Sequence, residues 1–378
     1  MSSFELINDF SELGLAAPIL SAVSKGGYTV PTPIQQQAIP LVMAGHDLQG
    51  IAQTGTGKTA AFALPILHRL LTDRKIAPKK GCRTLVLAPT RELASQISES
   101  FRNYGRQTGF RVALIFGGVP KGRQISAVAN GVDVIVATPG RLLDLFHEGH
   151  VRLDATEIFV LDEADHMLDL GFIIPIKQIA RELPAVRQNL FFSATMPKEI
   201  SALAGALLRN PKHVAVTPIA ATADRVEQSV MFVPQEQKRV VLTRLLRETV
   251  TGRTLVFTRT KHGADKVVKH LEASGLPANA IHGNKNQNQR ERALASFKTG
   301  QVTVLVATDI AARGIDVDDV THVINFDLPD VPEAYVHRIG RTARAGRDGQ
   351  AISLCADDER SQLRGIEKLI RQRLPVAA

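Results

Sequence analysis

Cysteine is scarce in this sequence of 378 residues: only Cys82 and Cys355 occur, far apart and without a Cys-x-x-Cys spacing. This distribution excludes a disulfide framework and favours a reducing, cytoplasmic environment over secretion. We expect both thiols to be buried as ordinary core residues.

Long apolar runs are also absent. No run reaches the roughly eighteen residues that a membrane-spanning helix needs, and the N-terminus lacks a basic segment followed by an apolar one. Low-complexity tracts are missing as well. We therefore expect a soluble chain with no membrane partner, in which the hydrophobic residues, 44% of the total, form proper cores.

The charge is basic, with 46 Lys and Arg against 37 Asp and Glu and a formal net charge of +9. This balance favours a polyanionic partner, although a solvated basic surface explains it about as well. At about 150 residues per domain, the length predicts two or three domains.

Apolar, β-branched runs alternate with helical patterns along most of the chain, interrupted once by a stretch rich in Ala, Thr and Pro. Strands that are apolar throughout and separated by helices indicate a parallel sheet covered on both faces. We predict an α/β fold with two tandem domains, each a parallel sheet flanked by helices. The domains would span residues 1–212 and 225–378, with a linker at 213–224.

The stretch at residues 52–59, AQTGTGKT, lies between a short apolar run and a helical pattern. Strand, glycine loop and helix in this order form the phosphate cradle of P-loop nucleotide hydrolases, although the first position is Ala rather than Gly. Gly55 and Gly57 would let backbone N–H groups face the phosphates. Lys58 would reach the β- and γ-phosphates, and the Thr59 hydroxyl would bind Mg²⁺. The predicted nucleotide-binding residues are Ala52, Gln53, Thr54, Gly55, Thr56, Gly57, Lys58 and Thr59. A glycine-rich turn with a solvated lysine is the alternative.

Two acids, Asp162 and Glu163, directly follow an apolar run at 158–161. One carboxylate can hold Mg²⁺, directly or through water, while the other positions and deprotonates the attacking water. The alternative, two acids at a helix start, would leave Lys58 and Thr59 without a metal site. Further polar turns follow apolar runs at residues 89–93, 117–118, 138–141 and 193–195. Since ligands bind at the carboxyl ends of parallel strands, we expect these turns to form one surface.

These motifs together resemble the DEAD-box family of RNA helicases. Residues 162–165 spell its signature, and the match continues in order through GYTVPTPIQ (27–35), the glycine loop, PTREL (89–93), GG (117–118), TPGR (138–141) and SAT (193–195). In the second half it includes ATDIAARGID (307–316) and HRIGRTARAG (337–346). The stretches at 257–264 and 281–285 are most similar to the bacterial RhlE subgroup.

The resemblance implies two RecA-like domains that close on ATP and single-stranded RNA together, with RNA-stimulated hydrolysis and local separation of RNA duplexes. Two rival interpretations remain, an ATP-gated RNA clamp that unwinds little and a DNA-directed helicase. The intact Glu163, Arg341 and Arg344 argue against a locked clamp, and the DEAD signature argues against DNA.

The resemblance also implies nucleotide contacts beyond the glycine loop. Gln35 would read the adenine edge, and Phe10 and Tyr28 would offer rings to stack on the base, although Phe10 fits a core aromatic equally well. Asp316 is similar to the carboxylate that meets the ribose.

In the second domain, Arg341 and Arg344 resemble the arginine fingers of the family, which meet the phosphates. Asp165, Ser193, Thr195 and His337 resemble elements that couple the nucleotide site to RNA. The family usually has Gly where this chain has Ala343, and we expect little consequence of that difference.

RNA contacts in the family are mostly to the sugar-phosphate backbone. By resemblance they would come from Pro89, Thr90, Arg91, Gly118, Thr138, Arg141, Arg259, Thr308, Arg313 and Gly314. Backbone amides, hydroxyls and arginines suit phosphate and 2′-OH recognition. We therefore expect little base-sequence preference.

Overall fold

A computed structural model describes residues 8–53, 55–216, 226–250, 252–312, 319–343 and 349–377. The chain divides into two compact units, Met1–Val216 and Thr217–Ala378. Within the described ranges, no helix is both long enough and apolar enough to cross a membrane.

The first unit contains seven strands and nine α-helices among its described residues. The strands are β1 (Leu48–Ile51), β2 (Cys82–Leu87), β3 (Val112–Ile115), β4 (Val132–Ala137), β5 (Ile158–Leu161), β6 (Gln188–Ser193) and β7 (Lys212–Ala215). The helices are α1 (Ala17–Lys25), α2 (Pro33–Met43), α3 (Lys58–Thr72), α4 (Arg91–Tyr104), α5 (Gly122–Val128), α6 (Pro139–His147), α7 (Ala164–Asp169), α8 (Ile173–Glu182) and α9 (Lys198–Leu207).

All seven strands pair in parallel, in the order β3-β4-β2-β5-β6-β1-β7. Neighbouring residues of one strand enter opposite cores: Val86 packs on one face of the sheet, whereas Leu85 and Leu87 pack on the other. Side chains alternate across a strand, so a strand that is apolar throughout requires cover on both faces. The predicted parallel sheet with helices on both sides is confirmed.

In the part of the second unit that the structure describes, six strands repeat this arrangement. These are β8 (Val226–Phe232), β9 (Arg253–Phe257), β10 (Ala278–Ile281), β11 (Val304–Ala307), β12 (Val320–Asn325) and β13 (Gly349–Cys355). Its helices are α10 (Lys238–Glu248), α11 (Lys261–Ala273), α12 (Gln287–Lys298), α13 (Asp309–Ala312), α14 (Pro332–Ile339) and α15 (Arg360–Ile370). The strands are again all parallel, in the order β10-β11-β9-β12-β13-β8.

The predicted start of the linker, residue 213, is wrong. Lys212–Ala215 forms the edge strand β7, which pairs with Leu48–Ile51, and the Lys212 N–H donates to the Asp47 carbonyl at 2.8 Å. Only Val214 of this strand is buried. A four-residue edge strand with one buried side chain has no apolar run from which it can be recognised. Residues 217–224 of the predicted linker lie outside the described residues.

Both cysteines are unpaired and buried, as expected. Burial raises the pKa of Cys82 to about 12 and that of Cys355 to about 11. Thiols of this kind remain protonated near neutral pH and are poor nucleophiles.

Candidate nucleotide and nucleic-acid sites

The strand order of the first sheet divides the predicted motifs into two groups. The glycine loop follows β1, residues 193–195 lie at the end of β6, and Asp162 follows β5, and these three strands are adjacent. Residues 89–91 follow β2, Gly118 follows β3 and Thr138 follows β4, which are the next three strands. One half of this sheet edge therefore carries the predicted nucleotide motifs, and the other half carries predicted RNA contacts.

The glycine loop has the backbone of a phosphate cradle. Gly55 and Gly57 have φ values of 86° and 89°, which L side chains rarely adopt, and Lys58 begins the fifteen-residue helix α3. The Lys58 Nζ is buried and donates to the Ala52 carbonyl at 2.8 Å. Thr59, the second residue of α3, is half-buried. The loop thus presents glycines, a lysine and a helix N-terminus at one point, which suits phosphates.

Within the same loop, the Thr56 hydroxyl donates to the Gln53 carbonyl at 2.8 Å. This bond ties the middle of the loop to its start. Thr54, which we also predicted to bind nucleotide, lies outside the described residues.

Three buried carboxylates, Asp162, Glu163 and Asp165, follow β5. Burial raises the pKa of Asp162 to about 7; the Lys58 ammonium opposes this shift, and the Glu163 carboxylate adds to it. Because β1 and β5 flank β6 in the sheet, the glycine loop and the acids lie at the same part of its edge. A divalent cation would relieve the repulsion between such carboxylates, so these residues fit the predicted Mg²⁺.

Among the side chains that the structure describes, no three His, Cys, Asp or Glu groups are placed to hold a metal by themselves. Mg²⁺ is usually held by one or two protein ligands together with water and substrate phosphates. Thr59 and Asp162 remain the predicted protein ligands.

A hydrogen-bond network joins Asp165 to the end of β6. The Asp165 carboxylate accepts from the Thr195 N–H at 3.0 Å and from the Thr195 hydroxyl at 2.9 Å, and the Asp165 N–H donates to the Ser193 hydroxyl at 3.2 Å. These three predicted coupling residues therefore act on one another directly. Glu163 beside them has φ 53°, a strained value for a non-glycine residue and one that clusters at functional sites.

Gln35 lies at the glycine loop, and both ends of its amide are hydrogen-bonded. Its Oε1 accepts from the Thr32 N–H at 2.9 Å, and its Nε2 donates to the Gly57 carbonyl at 3.1 Å. Because the amide has a second N–H and a second lone pair on its oxygen, these two bonds leave one donor and one acceptor position for an adenine edge. The structure thus adds a direct contact between Gln35 and the loop that sequence reasoning missed.

The two predicted stacking residues differ in environment. Phe10 is 5% exposed and belongs to the first core with Leu13 and Ile19, which favours the core role that the sequence left open. Tyr28 is 53% exposed and meets the Tyr104 ring edge-on, with centroids 6.3 Å apart. A ring this exposed remains available for stacking.

The predicted RNA residues of the first unit come together. The Arg91 guanidinium lies against Gly118, whose φ is 74°, so that any side chain at Gly118 would collide with it. Arg141 donates to the Val119 carbonyl at 3.0 Å. The structure therefore gathers two arginines and a glycine turn at adjacent strand ends.

The neighbouring Pro89, Thr90 and Thr138 are buried, and the two threonines are the N-cap residues of α4 and α6. The Thr90 hydroxyl accepts from the Leu93 N–H at 3.2 Å. Two helix N-termini therefore lie beside the arginines, and such termini favour anions.

In the second unit, Arg259 follows β9 and Thr308 follows the adjacent strand β11. Arg259 pairs with Glu359 at 3.0 Å and with Asp330 at 3.5 Å.

The predicted finger Arg341 is 4% exposed, and its Nε donates to the His337 carbonyl at 3.2 Å, which holds the side chain against its own helix. The remaining predicted residues, Arg313, Gly314, Asp316 and Arg344, lie outside the described residues.

Ala343 has φ 56°, which lies in the left-handed region that favours glycine. An L side chain in this conformation costs about 1–2 kcal/mol before opposing effects are counted, so the difference from the family pattern has a local conformational cost. The family preference for Gly has a conformational reason here.

Sequence reasoning missed Arg338, which is 1% exposed and bonded to several strand ends of the second unit. It also missed the buried ion pair of Lys238 with Glu359. The only sequence signal for Arg338 was its place inside the HRIGR stretch, because its partners lie at least eleven residues away along the chain.

Comparison with known proteins agrees with this geometry. The family model for DEAD/DEAH box helicases matches residues 32–203, and the model for the helicase conserved C-terminal domain matches residues 237–346. The chain is 42% identical over 365 residues to DEAD-box ATP-dependent RNA helicase 30 of Arabidopsis thaliana, covering 96% of this chain and 62% of that relative. It is 43% identical over 365 residues to the ATP-dependent RNA helicase CshA of Listeria monocytogenes, covering 97% of this chain and 69% of that relative.

Among solved structures, S. cerevisiae Dbp5 bound to RNA and ADP BeF3 matches with a TM-score of 0.88 and 33% identity. The match covers 98% of this chain and 95% of that one. The chain spans less than two thirds of the length of the first curated relatives it matches.

Proposed function

Because the chain belongs to the DEAD/DEAH box helicase family, we propose that it is an ATP-dependent RNA helicase. It would couple RNA-stimulated ATP hydrolysis to local, sequence-independent separation of RNA duplexes. The observation that carries this proposal is the strand order of the first sheet. The glycine loop, the acids and residues 193–195 lie at the carboxyl ends of β1, β5 and β6, respectively. The arginine and glycine turns lie at the ends of the next three strands, β2, β3 and β4.

In the nucleotide half, Lys58 and the backbone of the glycine loop would bind the phosphates, and Gln35 and Tyr28 would contact the base. Thr59 and Asp162 would hold Mg²⁺, which when bound neutralises phosphate charge. Glu163 would accept the proton of the attacking water. Two observations support this role: the Glu163 carboxylate is buried, and the Glu163 N–H donates to the carboxylate of the neighbouring Asp162.

In the RNA half, Arg91, Gly118 and Arg141 of the first unit and Arg259 and Thr308 of the second would contact the sugar-phosphate backbone. Contacts of this kind bind without reading bases. With ATP and RNA both bound, Arg341 and Arg344 would supply the arginine fingers, and hydrolysis would then release RNA. In this proposal Asp165, Ser193, Thr195 and His337 link the two events.

Two finer assignments belong to the proposal. Placement near the bacterial RhlE subgroup rests on residues 257–264 and 281–285, whereas the relatives named above are a plant protein and a bacterial CshA. A cytoplasmic location rests on two buried thiols without a disulfide.

The test is the ATPase rate without nucleic acid, with single-stranded RNA, and with DNA of the same sequence. We expect stimulation by RNA and little by DNA, because DNA lacks the 2′-OH groups. Equal stimulation by both would favour the DNA-helicase alternative. RNA-stimulated hydrolysis without separation of a short RNA duplex would favour the clamp.

A further inference from the structure

The Arg338 side chain donates hydrogen bonds through all three nitrogens of its guanidinium group. Its Nε and Nη2 donate to the two carboxylate oxygens of Asp309, the latter at 2.8 Å. Its Nη1 donates to the Asn325 side-chain oxygen at 3.1 Å and to the Asp327 carbonyl at 2.6 Å. The guanidinium carbon lies 5.0 Å from the centroid of the Phe257 ring. We call these five residues the Arg338 cluster.

The partners of Arg338 lie at the carboxyl ends of three adjacent strands. Asp309 follows β11, Phe257 ends β9, and Asn325 ends β12, and the sheet order is β11-β9-β12. One planar guanidinium therefore fixes three neighbouring strand ends relative to one another. Its rigid fork of donors makes this geometry specific to arginine.

These strand ends carry the predicted RNA contacts of the unit. Thr308 directly precedes Asp309, and its carbonyl accepts from the N–H groups of Ala311 and Ala312. The Asp327 carboxylate accepts from the Arg259 N–H at 2.9 Å. Movement of either RNA-contacting turn therefore displaces a direct partner of Arg338.

On its other side, Arg338 belongs to the helix that positions the predicted finger. It lies in the last turn of α14, and the Arg341 N–H donates to the Arg338 carbonyl at 3.0 Å. The side chain of Arg338 thus contacts the turns with the predicted RNA contacts, and its backbone contacts the segment that carries the predicted finger.

We propose that Arg338 is a positioning residue that transmits RNA binding at the Thr308 and Arg259 turns to Arg341. This inference rests on the proposed RNA-stimulated ATPase and names the route of stimulation within the second unit. Arg338 itself touches neither substrate, because its side chain is 1% exposed and its donors face protein oxygens.

A buried arginine also stabilises its fold, so the test needs a matched control. Arg83 provides one, since it is equally buried and makes the same two-pronged contact, with Nε and Nη2 at 3.0 and 3.1 Å from the Glu157 carboxylate. Arg83 lies in β2 of the first unit and belongs to neither proposed site. Arg338→Lys and Arg83→Lys make the same chemical change in comparable settings.

The measurement is the ratio of ATPase rates at saturating RNA and without RNA, taken well below the melting temperature of each variant. Arg338→Lys keeps the charge and loses the fork, so we expect the ratio to fall about tenfold. Asp309→Asn should lower the ratio similarly, and since the Asp309 side chain is 30% exposed this variant is the less disruptive of the two. Arg83→Lys should keep the wild-type ratio while losing comparable thermal stability.

The double variant Arg338→Lys/Asp309→Asn distinguishes a shared route from two separate effects. If the pair acts as a unit, the double variant should be no worse than the more affected single variant. Independent reductions that multiply would overturn the proposal. So would a wild-type ratio in both single variants, or an equal fall of the ratio in Arg83→Lys.

The wild type itself separates this inference from the proposed function. If it shows no RNA stimulation at all, the proposed function fails and the inference fails with it. If it is stimulated normally while both Arg338→Lys and Asp309→Asn retain that stimulation, only the inference is wrong.

Discussion

Replacing Ala343 by glycine should stabilise the second unit. At φ 56° an L side chain costs about 1–2 kcal/mol, a cost that glycine avoids. Two effects oppose the gain. Glycine makes the unfolded chain more flexible, which lowers the free energy of unfolding by roughly 0.4–1 kcal/mol. The variant also loses the half-buried methyl group that packs against the core, which costs about 0.4 kcal/mol, half the value of a fully buried CH₂. The net gain is about 0.5 kcal/mol.

The assay is differential scanning calorimetry of the full chain, following the transition of the second unit. For a unit of this size, about 0.5 kcal/mol corresponds to an increase in Tm of roughly 1–2 °C. Ala295→Gly is the matched control, because Ala295 is exposed inside the regular helix α12 of the same unit. Glycine there should cost about 1 kcal/mol and lower the Tm.

The opposite signs of these two identical substitutions are the critical result. A Tm that falls as far in Ala343→Gly as in Ala295→Gly would show that the lost methyl contact and the more flexible unfolded chain outweigh any strain relieved at Ala343. The reasoning would then be refuted.

Three further predictions concern turnover. Lys58→Ala should abolish RNA-stimulated hydrolysis while circular dichroism shows an intact fold, since the change removes a charge at the phosphates; substantial activity in a folded variant would contradict the loop assignment. Glu163→Gln keeps the shape of the side chain but loses the base, so in excess ATP this variant should hold RNA longer than wild type does. Arg341→Ala should lose about 10³–10⁵ in hydrolysis rate and also the proposed contact that favours closure, so this variant should release RNA quickly. Dissociation chased with competitor RNA measures both, and equally fast release would show that the proposed order of events is wrong. Wild-type turnover should favour ATP over GTP by about 1–3 kcal/mol if Gln35 reads adenine, and equal turnover of both would exclude that role.

Local sequence determined the fold class and most of the elements. Runs such as residues 85–88 and 304–307 are apolar at every position, and between helical patterns such a run favours a strand covered on both faces. It also determined the glycine loop, because Gly55 and Gly57 stand where the backbone takes positive φ. Features formed by consecutive residues, such as these strands and this loop, can be predicted from the sequence because they need no partner elsewhere in the chain.

Only the tertiary structure decided the order of the strands. The sequence predicted that the glycine loop and Asp162 share a metal site, but parallel strands are joined by crossovers, so chain order could not show that β6 lies between β5 and β1. For the same reason it could not show that Gln35 bonds to Gly57, or that Phe10 lies in the core. The edge strand β7 was hidden because it buries a single side chain. The Arg338 cluster exists only once three strand ends lie side by side, since its bonds join residues that the chain keeps apart.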